Sequence, residues 1–223
     1  MTLARRLVGE SLGTAFLLVA VVGSGIMTER LSGGNDAIAL LANSLATGGA
    51  LVALIVIFAP VSGAHFNPAV TVALAARGEL KRADALPYVV VQFAAAIVGV
   101  VMAHAMFGLP LLDWSQKARP GLEQMWAEFI ATFGLLAIVL SCVAVRSRAI
   151  PYAVAAYITS AYWFTSSTSF ANPAVTVART FTNTFTGIGQ GDVPGFLFAQ
   201  GIAVAAAVPL FAWIFRERPK GSG

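Results

Sequence analysis

The sequence predicts an all-α membrane protein of six transmembrane helices plus two re-entrant half-helices, arranged as an inverted repeat of three spans. Three observations predict it. The 223-residue chain is 58% hydrophobic and 11% charged, against about 25% charged in an ordinary soluble domain. The charged residues cluster between long charge-free stretches. One heptapeptide, Asn-Pro-Ala-Val-Thr-Val-Ala, stands both at Asn67–Ala73 and at Asn172–Ala178.

The charge-free stretches are Ser11–Thr28, Ala37–Ala76, Ala85–Leu112, Phe129–Val145, Ala149–Ala178 and Val193–Phe215. About 20 apolar residues carry a helix across the ~30 Å hydrocarbon layer. Four stretches suit one span each, whereas Ala37–Ala76 and Ala149–Ala178, at 40 and 30 residues, are too long. Each of these two ends in a copy of the heptapeptide, so each is read as a span followed by a shorter re-entrant piece. The first stretch follows Arg5 and Arg6 without a small-residue cleavage site and is read as a span, not a removed leader. The single cysteine, Cys142, lies mid-span and is read as packing.

With six spans and an internal N-terminus, Arg5, Arg6, Arg77, Lys81, Arg82, Arg146, Arg148, Arg216, Arg218 and Lys220 fall inside. Arg30, Lys117, Arg119 and Arg179 fall outside. Ten against four obeys the positive-inside rule. The formal charge of +4 therefore reads as topology in a cell membrane with both termini cytoplasmic, and not as nucleic-acid binding.

The repeat extends beyond the heptapeptide. Glu10, Thr14, Leu17 and Leu18 match Glu128, Thr132, Leu135 and Leu136, and Gln92 matches Gln200. Residues 1–107 and 122–218 form the two halves of a single membrane domain spanning 1–223, joined by a polar linker. An odd number of spans per half inverts the second half relative to the first. The two Asn-Pro-Ala turns thus enter from opposite faces and can meet near the midplane.

Asn is a favoured helix N-cap and Pro a favoured first helical residue, so one Asn-Pro-Ala alone says little. Paired at membrane depth it says more, because irregular backbone survives there only when buried in protein or lining a wet cavity. Pro60, Ser62 and Gly63 interrupt the first stretch before Asn67, and Thr165–Ser169 interrupts the second before Asn172. Two opposed half-helix N-termini place positive dipole ends at one point. Asn67 and Asn172 add amide donors there, which suits uncharged hydrogen-bonding solutes and repels cations.

The run Ser62-Gly63-Ala64-His65-Phe66-Asn67-Pro68-Ala69-Val70-Thr71 closely resembles the first signature loop of aquaporins and glycerol facilitators. The second turn, Asn172-Pro173-Ala174, the paired Glu10 and Glu128, and the six-span repeat extend the resemblance over the whole chain. The resemblance implies a passive channel with no cofactor, no metal and no catalysis, assembled as a homotetramer in the lipid bilayer with one pore per subunit. It implies that Glu10 and Glu128 support the re-entrant loops, with His65 packed or hydrogen-bonded in its loop. Counting from the motifs, the family's outer constriction falls on Thr47, Ser160, Ser169 and Val175. Most members carry Arg at the last position, and water-selective members carry an aromatic and a His at the first two. Four small residues here imply a wide filter without Arg. That filter suits glycerol-like polyols and neutral metalloids such as arsenite or methylated arsenicals, besides water. Bacterial channels associated with arsenic handling are similar in lacking the Arg. Two alternatives stand beside this: Arg179, one helical turn after Val175, narrows the pore to water, or the inverted repeat is that of a secondary transporter.

Overall fold

The computed structural model describes residues 1–215. Five of its helices are long and apolar enough to cross a bilayer: α1 (Leu3–Leu31), α2 (Asp36–Ser62), α4 (Arg82–Phe107), α5 (Leu122–Ala144) and α8 (Val193–Ile214). The expected fifth span is the shorter α6 (Ile150–Phe164), of 15 residues, or about 22 Å at 1.5 Å per residue. It stops where the Thr165–Ser169 run begins, because hydroxyl side chains compete for backbone hydrogen bonds. The two half-helices are α3 (Pro68–Ala76) and α7 (Pro173–Ala178). Arg216, Arg218 and Lys220, and the end of the second repeat at 218, lie outside the described residues.

Local sequence sets the ends of these elements. Asn35 caps α2 by accepting from the amides of Ala37 and Ile38 at 3.0 and 3.1 Å. Pro60 stands inside α2, two residues before its end, without breaking it, as membrane helices tolerate proline. The helix runs on to Ser62 and ends at Gly63, whose φ of 92° is the left-handed conformation that glycine adopts without strain.

Inverted symmetry shows in the packing. In the first half α1 packs against α2 and α4, and in the second α5 packs against α6 and α8. Both half-helices are gripped between α4 and α8 and touch each other, while α2 and α6 join the halves elsewhere. Small residues permit this closeness, as is usual between membrane helices. A Cβ on Gly99 of α4 would lie 2.4 Å from the Ala15 carbonyl oxygen of α1. Backbone cannot yield there as a flexible side chain could, so Gly99→Ala is expected to destabilise the protein by about 1–3 kcal/mol. Thermal unfolding of the purified protein in detergent checks this, and an unchanged midpoint would contradict so close an α1–α4 crossing.

Candidate functional site

The two re-entrant loops repeat one backbone. Gly63, Ala64 and Phe66 have φ of 92°, 52° and 49°, and the matching Thr168, Ser169 and Ala171 have 60°, 53° and 48°. Left-handed backbone at a non-glycine residue costs on the order of 1–3 kcal/mol, so something must hold these loops. Two buried carboxylates do. Glu10 Oε1 accepts from Ser62 Oγ at 2.7 Å and from the His65 amide at 3.0 Å; Oε2 accepts from the Phe66 amide and from Gln92 Nε2 at 2.7 and 2.8 Å. Glu128 mirrors this with Ser167 Oγ, the amides of Phe170 and Ala171, and Gln200 Nε2, all at 2.7–2.9 Å. Four donors per carboxylate explain how a buried acid is accommodated at each position. His65 Nδ1 lies 3.1 Å from Thr71 Oγ1, on the half-helix α3 that follows its loop.

The loops end at the two asparagines, and the Asn side chains are divided. Asn67 Oδ1 caps α3 by accepting from the Ala69 amide at 2.8 Å, and Asn172 Oδ1 caps α7 by accepting from the Ala174 amide at 3.0 Å. Each Nδ2 then crosses to the other loop. Asn67 Nδ2 donates to the Ala171 carbonyl at 2.7 Å and Asn172 Nδ2 to the Phe66 carbonyl at 2.8 Å. Pro68 and Pro173 occupy the first helical positions, where no N–H is needed, and Ala69 and Ala174 are buried behind them. An amide nitrogen carries two hydrogens, so each Asn keeps one donor beyond the latch.

Both asparagines line one cavity of about 110 Å³. Its walls are helical stripes of spacing four: Thr47, Leu51 and Ile55 on α2; Leu135, Val139 and Val143 on α5; Ile150, Val154, Ile158 and Tyr162 on α6. Gly63, Ala64 and His65 complete one end. Among the described residues, no protein group donates to their carbonyl oxygens. The result is a greasy tube with polar points, the usual form of a small-molecule site.

At the other end Thr47, Ser169, Val175 and Arg179 line the cavity. Three of the four residues expected in the filter are therefore brought together, and Ser160 is not. Ser160 is exposed, and its Oγ donates back to the Ala156 carbonyl at 2.9 Å. Two residues along a helix is a turn of about 200°, so a slip of two moved the assignment to the outer face. Tyr162 takes the place, buried, with its hydroxyl 3.3 Å from Thr47 Oγ1. The stripe Ile150–Val154–Ile158–Tyr162 was the signal that could have found it. An aromatic residue therefore lines this end of the cavity, where the sequence led to the expectation of four small side chains.

Arg179 is 2% exposed. Its guanidinium carbon lies 3.5 Å from the centre of the Phe170 ring, and Nε donates to the Thr186 carbonyl. The linker contributes here as well, which the sequence reading did not foresee. Arg119 donates through Nε to the Gly187 carbonyl at 2.9 Å and through Nη1 to the Ser167 carbonyl at 3.1 Å, and stands 5.0 Å from the Phe170 ring. Phe170 therefore contacts two guanidinium groups. In the first loop Tyr88 hydroxyl makes the corresponding bond to the Ser62 carbonyl at 2.9 Å. Burial pushes Arg119 down to about 10. Lys117 is lowered too, by burial first and then by the neighbouring charges of Arg119 and Arg179. Among the described residues no group of three or more His, Cys, Asp or Glu side chains could hold a metal ion.

Known proteins share this architecture. The family description "Major intrinsic protein" matches residues 1–158. The chain is 52% identical over 214 residues to "Aquaglyceroporin AqpS" of Rhizobium meliloti (strain 1021), covering 96% of this chain and 91% of that protein. It is 32% identical over 172 residues to "Probable aquaporin AqpM" of Archaeoglobus fulgidus, covering 68% and 70%. The crystal structure of the aquaglyceroporin from Plasmodium falciparum superposes with a TM-score of 0.71, covering 96% of both chains at 18% identity, a likeness of fold. Family match and relatives agree with the paired turns and glutamate-held loops: the chain belongs to the major intrinsic protein family and is a multi-pass membrane channel for water and small solutes, not an enzyme.

Proposed function

We propose that this channel passes small uncharged solutes larger than water, namely glycerol-like polyols and neutral metalloid species such as arsenite or methylated arsenicals, together with water. The observation that carries the reading is Val175 in the cavity wall while the nearby guanidinium of Arg179 is stacked on Phe170. An apolar side chain at the filter removes several donors that would otherwise grip and narrow the passage. The name aquaglyceroporin, borne by the relative at 52% identity, supports the same solute class. The working unit in this reading is a homotetramer in the cell (inner) membrane, with one pore per subunit and both termini cytoplasmic. The filter is Thr47, Tyr162, Ser169 and Val175. Asn67 and Asn172 offer their spare donors to the solute, and Glu10, Glu128 and His65 serve the loops.

A second reading, water selectivity, draws on Tyr162 and on Arg179, both in the cavity wall. Stopped-flow light scattering of proteoliposomes separates the two. The expected result is glycerol and arsenite flux well above that of empty liposomes, independent of any proton or sodium gradient. Water flux with neither solute passing would favour the second reading, and gradient-dependent flux would favour a coupled transporter.

A further inference from the structure

The Arg179 end of the pore holds more donor capacity than a neutral solute requires. Among the described residues the one ion pair is Arg6–Asp84, so no carboxylate balances Arg179. Its sole protein acceptor among them is the Thr186 carbonyl, taken by Nε. The guanidinium carbon stands 3.5 Å from the centre of the Phe170 ring, and among the described residues the Nη donors have no protein acceptor. Ser169, 3% exposed and in the wall of the same cavity, has an Oγ with no hydrogen-bond partner at all. Thr47 and Tyr162 meet only each other there, at 3.3 Å.

The nearby carboxylates accept from other donors and none pairs with Arg179. Glu128 has both oxygens filled by four donors. Asp192 accepts from the Arg119 amide at 2.7 Å, and Glu29 from the Phe185 amide at 2.9 Å. The other local cations, Arg119 and Lys117, are directed at carbonyl oxygens. A buried charge without a counter-charge costs several kcal/mol, and a guanidinium fork fits a carboxylate-like anion with two parallel bonds.

We infer that Arg179 and Ser169, with the Thr47 and Tyr162 hydroxyls beside them, form a binding site for a small monovalent oxyanion of carboxylate type, and that its occupancy blocks the pore. The anion stays there because the next turns of the wall, Leu51 on α2 and Ile158 on α6, offer it no donors. The site deepens the channel reading: blocking rests on that reading, binding does not.

The experiment uses sodium formate as the probe against an isosmotic gluconate background. Glycerol flux through proteoliposomes of the parent, Arg179→Met and Ser169→Ala is measured as formate rises. In parallel, the unfolding midpoint of each purified protein in detergent is followed against formate. The expected result is saturable inhibition and a raised midpoint in the parent. The half-effect concentration should rise at least about tenfold in Arg179→Met, as loss of a charge-assisted hydrogen bond implies, and by less in Ser169→Ala. If glycerol flux is absent throughout, the channel reading for polyols fails while the midpoint shift still decides binding. No midpoint shift in the parent, or an equal shift in Arg179→Met, overturns the site. A shift accompanied by formate current in place of inhibition overturns the block.

Discussion

Replacing Glu128 with leucine is expected to abolish channel activity by preventing the second loop from holding its shape. The substitution strands Ser167 Oγ, the Phe170 and Ala171 amides and one hydrogen of Gln200 Nε2, whose other hydrogen keeps Thr176 Oγ1, all buried. A buried donor left without an acceptor costs roughly 1–3 kcal/mol, and four of them approach the ~5–15 kcal/mol that holds a typical folded domain together. The loop also carries left-handed backbone at Thr168, Ser169 and Ala171, a strain that the lost bonds were offsetting. Glu10→Leu is expected to act alike on the first loop, whose four donors match one for one. Glu128→Gln separates the role of the acceptor from that of the side chain's bulk. It keeps one oxygen but turns an NH₂ toward two donors, so it should fold with a lowered unfolding midpoint and reduced flux. Size-exclusion profiles, unfolding midpoints and water flux of the three variants check the ranking. Normal flux and stability in Glu128→Leu would show that the loop is held by something other than this carboxylate.

The paired loops were legible because the chain states them twice. The duplicated heptapeptide, Glu10 with Glu128 and Gln92 with Gln200 all fall at equivalent places, so the inverted fold could be read before any coordinates. Ser160 was misread for a physical reason. Distance along the chain from Asn172 passes through the irregular Thr165–Ala171 segment, where residues per unit length are not those of a helix. A two-residue error at that point rotates a helical face from the pore to the outside. The i, i+4 stripe ending at Tyr162 carries the orientation that simple counting discards. Arg119 was illegible for a different reason. It sits in the linker Gly108–Leu122, which the sequence presents as a polar tether. Its binding to the Ser167 and Gly187 carbonyls joins segments far apart in the chain. No periodicity announces such a contact. A comparison of the halves does explain its use: Tyr88 serves the Ser62 carbonyl with its hydroxyl. The ring that packs on Phe170 is Phe196, which has no hydroxyl to give.

Val175→Arg is expected to lower glycerol and arsenite flux at least about tenfold, a barrier increase of ~1.4 kcal/mol, and to lower water flux much less. Val175 is buried in the cavity wall near the N-terminus of α7, with its own amide 3.3 Å from Asn172 Oδ1. An arginine there has one way out of the protein interior, into the cavity, where it meets the wall of Thr47 and Tyr162. It cannot share the place of Arg179, because the Phe170 face and the Thr186 carbonyl are already taken. Two guanidinium groups at about 4 Å repel by ~4 kcal/mol at an effective dielectric constant of 20, which drives the new one across the passage. A single file of water can exchange hydrogen bonds with such a donor and continue, whereas a polyol must fit its carbon chain through the remaining gap. Stopped-flow measurement of water, glycerol and arsenite on the same proteoliposome preparation gives the ratio directly, independent of how much protein inserts. An unchanged ratio of glycerol to water flux would mean that position 175 does not bound the narrowest part of the pore. The constriction would then lie with Tyr162 and Arg179.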